Sequence, residues 1–313
     1  EDIWWLIGLS GLMMVLHGAY MTAERAALPN IVAEEELATA NALDAATWST
    51  ALAIGAFLGG VVVANYGVNA AFIIDSITFL IGALILLPLK LPQNVSEEMK
   101  GPIFKTALQN ITAGFTRLIN EPRLKRIVFA KTTWNLAGGG LAAVFLVIAG
   151  SRMSPGEMAS GIGLFFMARG IGTGIGPIIA RKYLVNKNKW PALVGILVSV
   201  SGFFYLLIGL TIFENLYLTI TLIILAHAAS GANWVLSTIL TQQWVEDEVR
   251  GRIFSIDMLL MSISFSISTY FAGWILDNSL LSLKMGMVYF SCAMISFGIM
   301  FTLWRPDVKH NTA

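Results

Sequence analysis

The sequence predicts an all-α, multi-pass membrane protein with nine transmembrane helices. Three observations carry this. Of 313 residues, 56% are hydrophobic and only 12% charged, with a mean hydropathy of +0.73, whereas a soluble domain carries about a quarter charged residues. The apolar residues gather into runs of about 20, the length of helix that crosses a bilayer core. An acidic cluster, Glu34-Glu35-Glu36-Leu37, recurs about 212 residues later as Glu246-Asp247-Glu248-Val249, with matching apolar runs on either side. β-Barrel strands would be half as long and would alternate, so the spans are helices.

Taken in order, the first span covers residues 3–23. The second and third, 41–65 and 68–89, are separated only by Asn65-Tyr66-Gly67, a turn too short for anything but adjacent crossings. Residues 91–126 form the one long polar stretch, punctuated by Pro92, Pro102 and Pro122. Within it Phe104, Ala107, Leu108, Ile111, Phe115, Leu118 and Ile119 recur at helical spacing, with Lys105 and Arg117 elsewhere. That pattern predicts an amphipathic helix lying on the membrane surface. Six further spans follow, at 127–150, 157–180, 190–213, 216–240, 253–276 and 285–304. Cys292 is the single cysteine and excludes an internal disulfide.

Sorting Lys and Arg by the loops between spans sets the orientation. Arg25, the seven from Lys90 to Arg126, the four from Arg181 to Lys189, Arg250, Arg252, Arg305 and Lys309 fall on one side, 16 of the 20 in the chain. That side is expected to be cytoplasmic, which places the C-terminus in the cytoplasm and Glu1 outside. An external N-terminus with neither a start methionine nor a signal peptide points to absent upstream sequence. Adding 212 carries the spans starting near 3, 41 and 68 onto the last three, while the middle three of the nine, 127–213, have no counterpart in the first half. Three upstream helices are therefore expected, in a whole of six plus six that works as a monomer; the nine-span remnant is not expected to transport alone.

Arg25-Ala26-Ala27-Leu28-Pro29-Asn30-Ile31-Val32, Ala40-Asn41-Ala42-Leu43, Gly59-Gly60 and Arg250-Gly251-Arg252 resemble the major facilitator superfamily, and within it bacterial enterobactin-exporter-like and macrolide-efflux-like members. The resemblance covers essentially the whole chain. It implies that the spans are family helices four to twelve: residues 1–90 the second half of an N-terminal bundle, 91–126 the cytoplasmic linker, and 127–313 a C-terminal six-helix bundle. The second-half copy of the family's loop signature is expected after the fifth span, where Gly176, Arg181, Lys182, Lys187 and Lys189 stand but Ala180 takes the aspartate position, so the loop reads as positive-inside anchoring. Gly55-Ala56-Phe57-Leu58-Gly59-Gly60 partly matches the antiporter motif of family helix five, its proline replaced.

Glycine spacing adds a physical reason: Gly55 and Gly59 share one helical face with Gly60 beside them, and Gly163, Gly172 and Gly176-Pro177 offer the same in the fifth span. The resemblance implies that these helices face each other across the halves. Ionisable residues inside spans are the default functional candidates. Arg169, mid-span, either binds an anionic or carbonyl-rich substrate or is held by a buried carboxylate or helix carbonyls. Asp75 reads either as a structural hydrogen-bonding group or as a coupling or gating residue. Asp44 and Asp257 occupy equivalent inner ends of their spans, offset by 213, with Arg25, Arg250 and Arg252 as partners for a cytoplasmic lock. Lys131 lies close enough to its span end to snorkel. His17 and His227 are counterparts under the repeat and read either as packing histidines or as proton or substrate contacts. The resemblance implies that family helices four, seven and ten line the cavity, which adds Tyr20, Trp134, Asn135, Asn233 and Trp234.

Several classes are excluded. A net charge of +1 gives no field for nucleic acid. Gly170-x-Gly172-x-Gly174-x-Gly176 lies inside an apolar span rather than after a strand, so ATP does not drive the protein directly. No metal-ligand spacing and no Gly-x-Ser-x-Gly elbow occurs, so no enzyme and no cofactor are expected beyond an ion gradient, taken as H+. The expected function is export of a hydrophobic or amphipathic small molecule, a drug, macrolide or siderophore, by proton antiport across a bacterial inner membrane. Rocker-switch alternating access about a midplane cavity is the expected mechanism, with the lipid bilayer and the substrate as partners. A lysophospholipid flippase of the same fold is the near alternative, and a non-transporting membrane scaffold or receptor the alternative of another class.

Overall fold

A computed structural model of the chain describes residues 2–89, 103–153, 158–183, 189–211 and 215–304. Lys90 to Pro102 of the predicted linker, Lys187, Arg305 and Lys309 lie outside these residues. The described residues are helical, with no strand among them. Helix α1 spans Asp2–Ala27 and α2 spans Leu37–Leu86, with 3-10 turns at Leu28–Asn30 and Glu34–Glu36 between them. Glu34 to Glu36 therefore lead directly into α2, where negative charge suits a helix N-terminus. Their repeat partners do the same, with Asp247 and Glu248 opening α9, Asp247–Asp277.

Eight helical stretches among the described residues are long and apolar enough to cross a membrane. One of them, Glu34–Leu86, has 53 residues, which at 1.5 Å per residue is about 80 Å and far exceeds one bilayer core. Its helix breaks at Gly67, with φ 80° and ψ 170°, a conformation that glycine alone adopts without strain. The break falls in the predicted Asn65-Tyr66-Gly67 turn, so the eight stretches hold the nine predicted crossings.

Helix α3 covers Ile103–Asn120 and α4 covers Pro122–Trp134, with Pro122 in its first turn. A π-turn, Asn135–Gly139, then leads into α5, Gly140–Met153. The sequence reading gave no sign of this turn. Gly140 lies against the Ser268 and Thr269 backbone, where a Cβ has no room, and Gly138 lies against the movable end of the Met294 side chain. Helices α6, Met158–Tyr183, α7, Trp190–Thr211, α8, Leu216–Trp244, and α10, Leu283–Leu303, complete the set. Asn215 and Ser282 cap α8 and α10 through their side-chain oxygens, accepting from the Leu218 and Met285 amides. Arg126 closes the other end of α10, donating from Nε to the Phe301 carbonyl at 2.8 Å and from a terminal nitrogen to that of Thr302 at 3.0 Å. A cation there satisfies carbonyls that have no partner within the helix.

Inside α6, Pro177 has no N–H to give the Thr173 carbonyl four residues back. Gly231 of α8 lies against that same carbonyl, where only a glycine lets the neighbouring backbone come so close.

The core lies in α4 to α10 and forms two apolar layers along the bundle. One contains Phe145, Phe165, Tyr205, Ile223 and Met294; the other, nearer the basic side, contains Leu124, Ile127, Val194, Leu236 and Ile253. The intervening turns of three helices carry polar groups: Lys131, Trp134 and Asn135 on α4 and the π-turn, His227, Ser230 and Asn233 on α8, and Asp257, Ser264 and Ser268 on α9. The bundle thus encloses a polar layer between two apolar ones.

Helices α2 and α6 pack against each other as implied, but through different faces. Gly55 and Gly59 meet nothing within 4 Å where a side chain would start, and Gly172 and Gly176 lie against the Ile224 and Ala228 carbonyls of α8, within the second half. The seam between α2 and α6 is made instead by Gly163, Gly170 and Gly174. A Cβ on these would stand 2.7 Å from the Ala56 carbonyl oxygen, 2.7 Å from the Ala53 nitrogen and 2.9 Å from the Ser49 Cβ. Gly60 keeps a place beside Gly163. Ser49, Ala53, Ala56 and Gly60 recur at i, i+4, i+7 and i+11, so small residues line both sides. Helix α3 docks on α9, with Gly114 against Arg252 and Ile256 and with Leu118 buried. Its Leu108, Ile111, Phe115 and Ile119 remain exposed as one apolar face.

Candidate functional site

The polar layer holds one closed ion pair. Lys131 donates from Nζ to Asp257 Oδ2 at 2.5 Å, with both side chains almost wholly buried. Arg25 of α1 enters beside them, its guanidinium 4.4 Å from the Trp234 ring centre and within electrostatic reach of Asp257. Lys131 Nζ stands 5.6 Å from the same ring, so one indole faces two cations. The other Asp257 oxygen, Oδ1, is buried with no protein partner among the described residues, as are Asn233 Oδ1 and Ser268 Oγ.

About two turns nearer the basic side, Gln242 of α8 ties α1 and α2 to α8. Its Nε2 donates to the Arg25 carbonyl at 3.1 Å, which leaves Oε1 to accept from Asn41 Nδ2 at 2.7 Å. Donor and acceptor are both used, so the amide orientation is fixed by its partners. Asn30 reaches Asp247 at 3.4 Å, Arg250 donates to Asp247 at 2.8 Å, and Arg117 of α3 pairs with Glu246 at 3.2 Å. A cavity of ≈ 260 Å³ opens here among Pro29, Glu34, Leu37, Gln242, Gln243 and Arg250. Helices α1, α2, α3, α8 and α9 therefore meet at this end.

On the other side of the polar layer, Tyr205 and His227 meet at 2.6 Å through the hydroxyl and Nε2, while Ser230 Oγ lies 3.3 Å from Nδ1. Ser230 also donates to the His227 carbonyl at 3.2 Å. With that proton spent, Nδ1–H donates to Ser230 and Nε2 accepts from Tyr205, a neutral imidazole with both nitrogens satisfied. Trp134 packs edge-on against His227, ring centres 6.4 Å apart, and donates from Nε1 to Ser201 at 3.0 Å. Arg169 is half-buried. Its guanidinium lies 5.9 Å from the Phe166 ring and close enough to Tyr205 and His227 to act on both electrostatically. It forms no ion pair among the described residues. An arginine at the middle of a lone span costs at least about 2.5–3.5 kcal/mol, so its placement requires a counterweight.

Residues 1–150 match the model of the Major Facilitator Superfamily. The chain is 24% identical over 240 residues to the protein named "Putative bacilysin exporter BacE" of Bacillus subtilis, an alignment covering 76% of this chain and 58% of that one. It is 25% identical over 257 residues, 82% of this chain and 61% of the other, to the protein named "Uncharacterized MFS-type transporter y4rN" of Sinorhizobium fredii. Over its first 150 residues the chain is similar to the major facilitator superfamily. It spans about 60% of the length of these two relatives.

Within the chain the sequence-predicted residues divide into those brought together and those that are not. Trp134, Arg169 and His227 converge, as do Arg25, Trp234 and Asp257. Asn135 is buried but bonds the Met261 carbonyl at 3.2 Å, joining the π-turn to α9. Asn233 is buried with its Oδ1 unpartnered. His17 and Tyr20 are exposed on α1 and do not join their second-half counterparts. Asp75 is exposed on α2, its backbone carbonyl accepts from the Thr78 hydroxyl, and its side chain makes no hydrogen bond among the described residues. The predicted lock is built from other partners. Asp257 takes Lys131, which is buried rather than snorkelled, because α9 brings a carboxylate to it. Arg250 turns to Asp247 one helical turn earlier, Arg252 lies half-buried where α3 docks, and Asp44 stands by Glu24, side chain to side chain. Gln242, Tyr205 and Ser230 were missed. A glutamine pair, Gln242-Gln243, at the inner end of an apolar span was the one signal that pointed to the first of them.

Proposed function

We propose that the chain is the larger part of a secondary exporter for a hydrophobic or amphipathic small molecule, with the polar layer as its substrate site. The observation that carries this reading is the layer itself: aromatic, amide and charged groups on α4, α6, α8 and α9 gathered between two apolar layers, at the depth where such a transporter binds its cargo. The contacts of Gln242 with Arg25 and Asn41 serve as the inner gate. The close α2–α6 seam of small residues serves as the surface on which the halves rock. The relative whose name carries the word exporter supports outward transport. Proton coupling rests on the carboxylates Asp257, Glu24 and Asp44 near the inner end, and a bacterial inner membrane with a cytoplasmic C-terminus rests on the basic loops.

Proteoliposomes containing the protein, loaded in turn with dyes, macrolides and catecholate siderophores, test the reading. Efflux of at least one class should rise with an imposed pH gradient and stop when the gradient is collapsed. Equal efflux with and without the gradient for every compound refutes proton antiport.

A further inference from the structure

We propose that the exported compound carries a carboxylate and that Arg169 receives it; this rests on reading the polar layer as the substrate site. Arg169 lies 8 residues from the start and 11 from the end of the apolar stretch Gly161–Ala180, about 12 and 16 Å at helical rise. Its side chain is too short to bring the guanidinium to either membrane face. It therefore has to be balanced where it is.

The sequence left two readings for this residue, a permanent internal partner or a substrate contact. The described carboxylates near the polar layer are already engaged: Asp257 with Lys131, Asp44 beside Glu24. Lys131 shows how this fold neutralises a cation for good, with a buried carboxylate in direct contact. Arg169 has no such contact. Its neighbours Phe166, Tyr205 and His227 are uncharged, and the Tyr205 hydroxyl and both imidazole nitrogens are committed to each other and to Ser230. These groups shape the surroundings of the guanidinium without compensating it.

A guanidinium presents paired N–H donors that fit a carboxylate's two oxygens. The rings beside it, Phe166 directly and Trp134 across His227, suit a cargo with an apolar or aromatic body next to that acid. A phosphate or sulfate ester would bring a second or bulkier charge to a site with a single cation, so a monovalent carboxylate is the class the surroundings favour.

The test is fluorescence binding of dansyl-phenylalanine and of dansyl-phenylalaninamide, which differ by one negative charge, to the chain in nanodiscs. The carboxylate should bind at least about tenfold more tightly than the amide, the worth of one charge-assisted hydrogen-bonded contact. Arg169→Gln should remove that preference, bringing the carboxylate down to the affinity of the amide, while Arg169→Lys should keep part of it. Equal binding of the two probes by the unsubstituted protein, a preference that survives in Arg169→Gln, or no binding of either probe overturns the proposal. The comparison of probes on the unsubstituted protein stands even if a variant fails to fold. The two readings fail separately: gradient-driven efflux of neutral compounds that Arg169→Gln does not alter sinks the carboxylate and spares the exporter, whereas absence of gradient-driven efflux sinks the exporter.

Discussion

At the scale of single residues, the buried ion pair is the most demanding feature. Removing one member leaves the other charged and uncompensated, which costs about 3–5 kcal/mol, whereas an apolar pair of similar volume is often tolerated. Asp257→Ala should therefore lower unfolding stability in detergent by about that amount, and Lys131→Met with Asp257→Leu should recover most of the loss. A double variant no more stable than Asp257→Ala would show that Lys131 does not depend on Asp257. The repeat made Asp257 visible because it recurs in step with Asp44. Its partner was not visible: Lys131 lies 126 residues away in sequence, and which turns of two helices meet depends on packing that no single-sequence period encodes. Gln242 was hidden for the same reason, since a glutamine in an apolar run gives no hint that its two ends serve two different helices.

At the scale of elements, the spans were legible to within about six residues at their ends, because a bilayer demands long apolar runs and the chain marks their ends with Asn-Tyr-Gly, proline and basic residues. The faces were harder to read. Small and apolar residues surround α2 and α6 on every side, so spacing allowed a Gly55–Gly59 seam as readily as the Gly163, Gly170 and Gly174 one that packs. The difference is measurable. Gly170→Leu would drive a side chain into the Ala53 backbone and should cost about 1–3 kcal/mol by overpacking. Gly286→Ala, whose new methyl would meet only Leu141 at 3.7 Å, should be neutral or stabilise α10 by up to about 1 kcal/mol. Thermal unfolding of the two variants checks the pair, and similar losses in both would contradict the seam. The contact between α3 and α9 is weaker in charge than in shape. The Arg117–Glu246 bridge joins side chains that are 46% and 62% exposed, so Arg117→Ala should cost less than about 1 kcal/mol. A larger loss in the same assay would mean that the bridge carries the docking.

At the scale of the whole molecule, the account rests on the two halves being joined at the basic end by contacts that can part. The Gln242 amide, the Arg25–Trp234 stacking and the Asn30–Asp247 contact are polar and few, which suits a junction that must open and reclose. Replacing Gln242 by leucine takes from Asn41 Nδ2 its acceptor across the junction, leaving only the Leu37 carbonyl of its own helix, and frees the Arg25 carbonyl, and should move the balance between closed and open states by about tenfold, or roughly 1.4 kcal/mol. The distance between spin labels on Thr39→Cys and Glu248→Cys, both exposed positions flanking this junction, with Cys292→Ser to remove the native thiol, reads that balance directly. The account predicts one short distance in the resting protein, a second, longer population on adding transported compound or lowering the pH, and the longer population present from the start in Gln242→Leu. A single distance that none of these changes moves would contradict a gate at this end of the molecule.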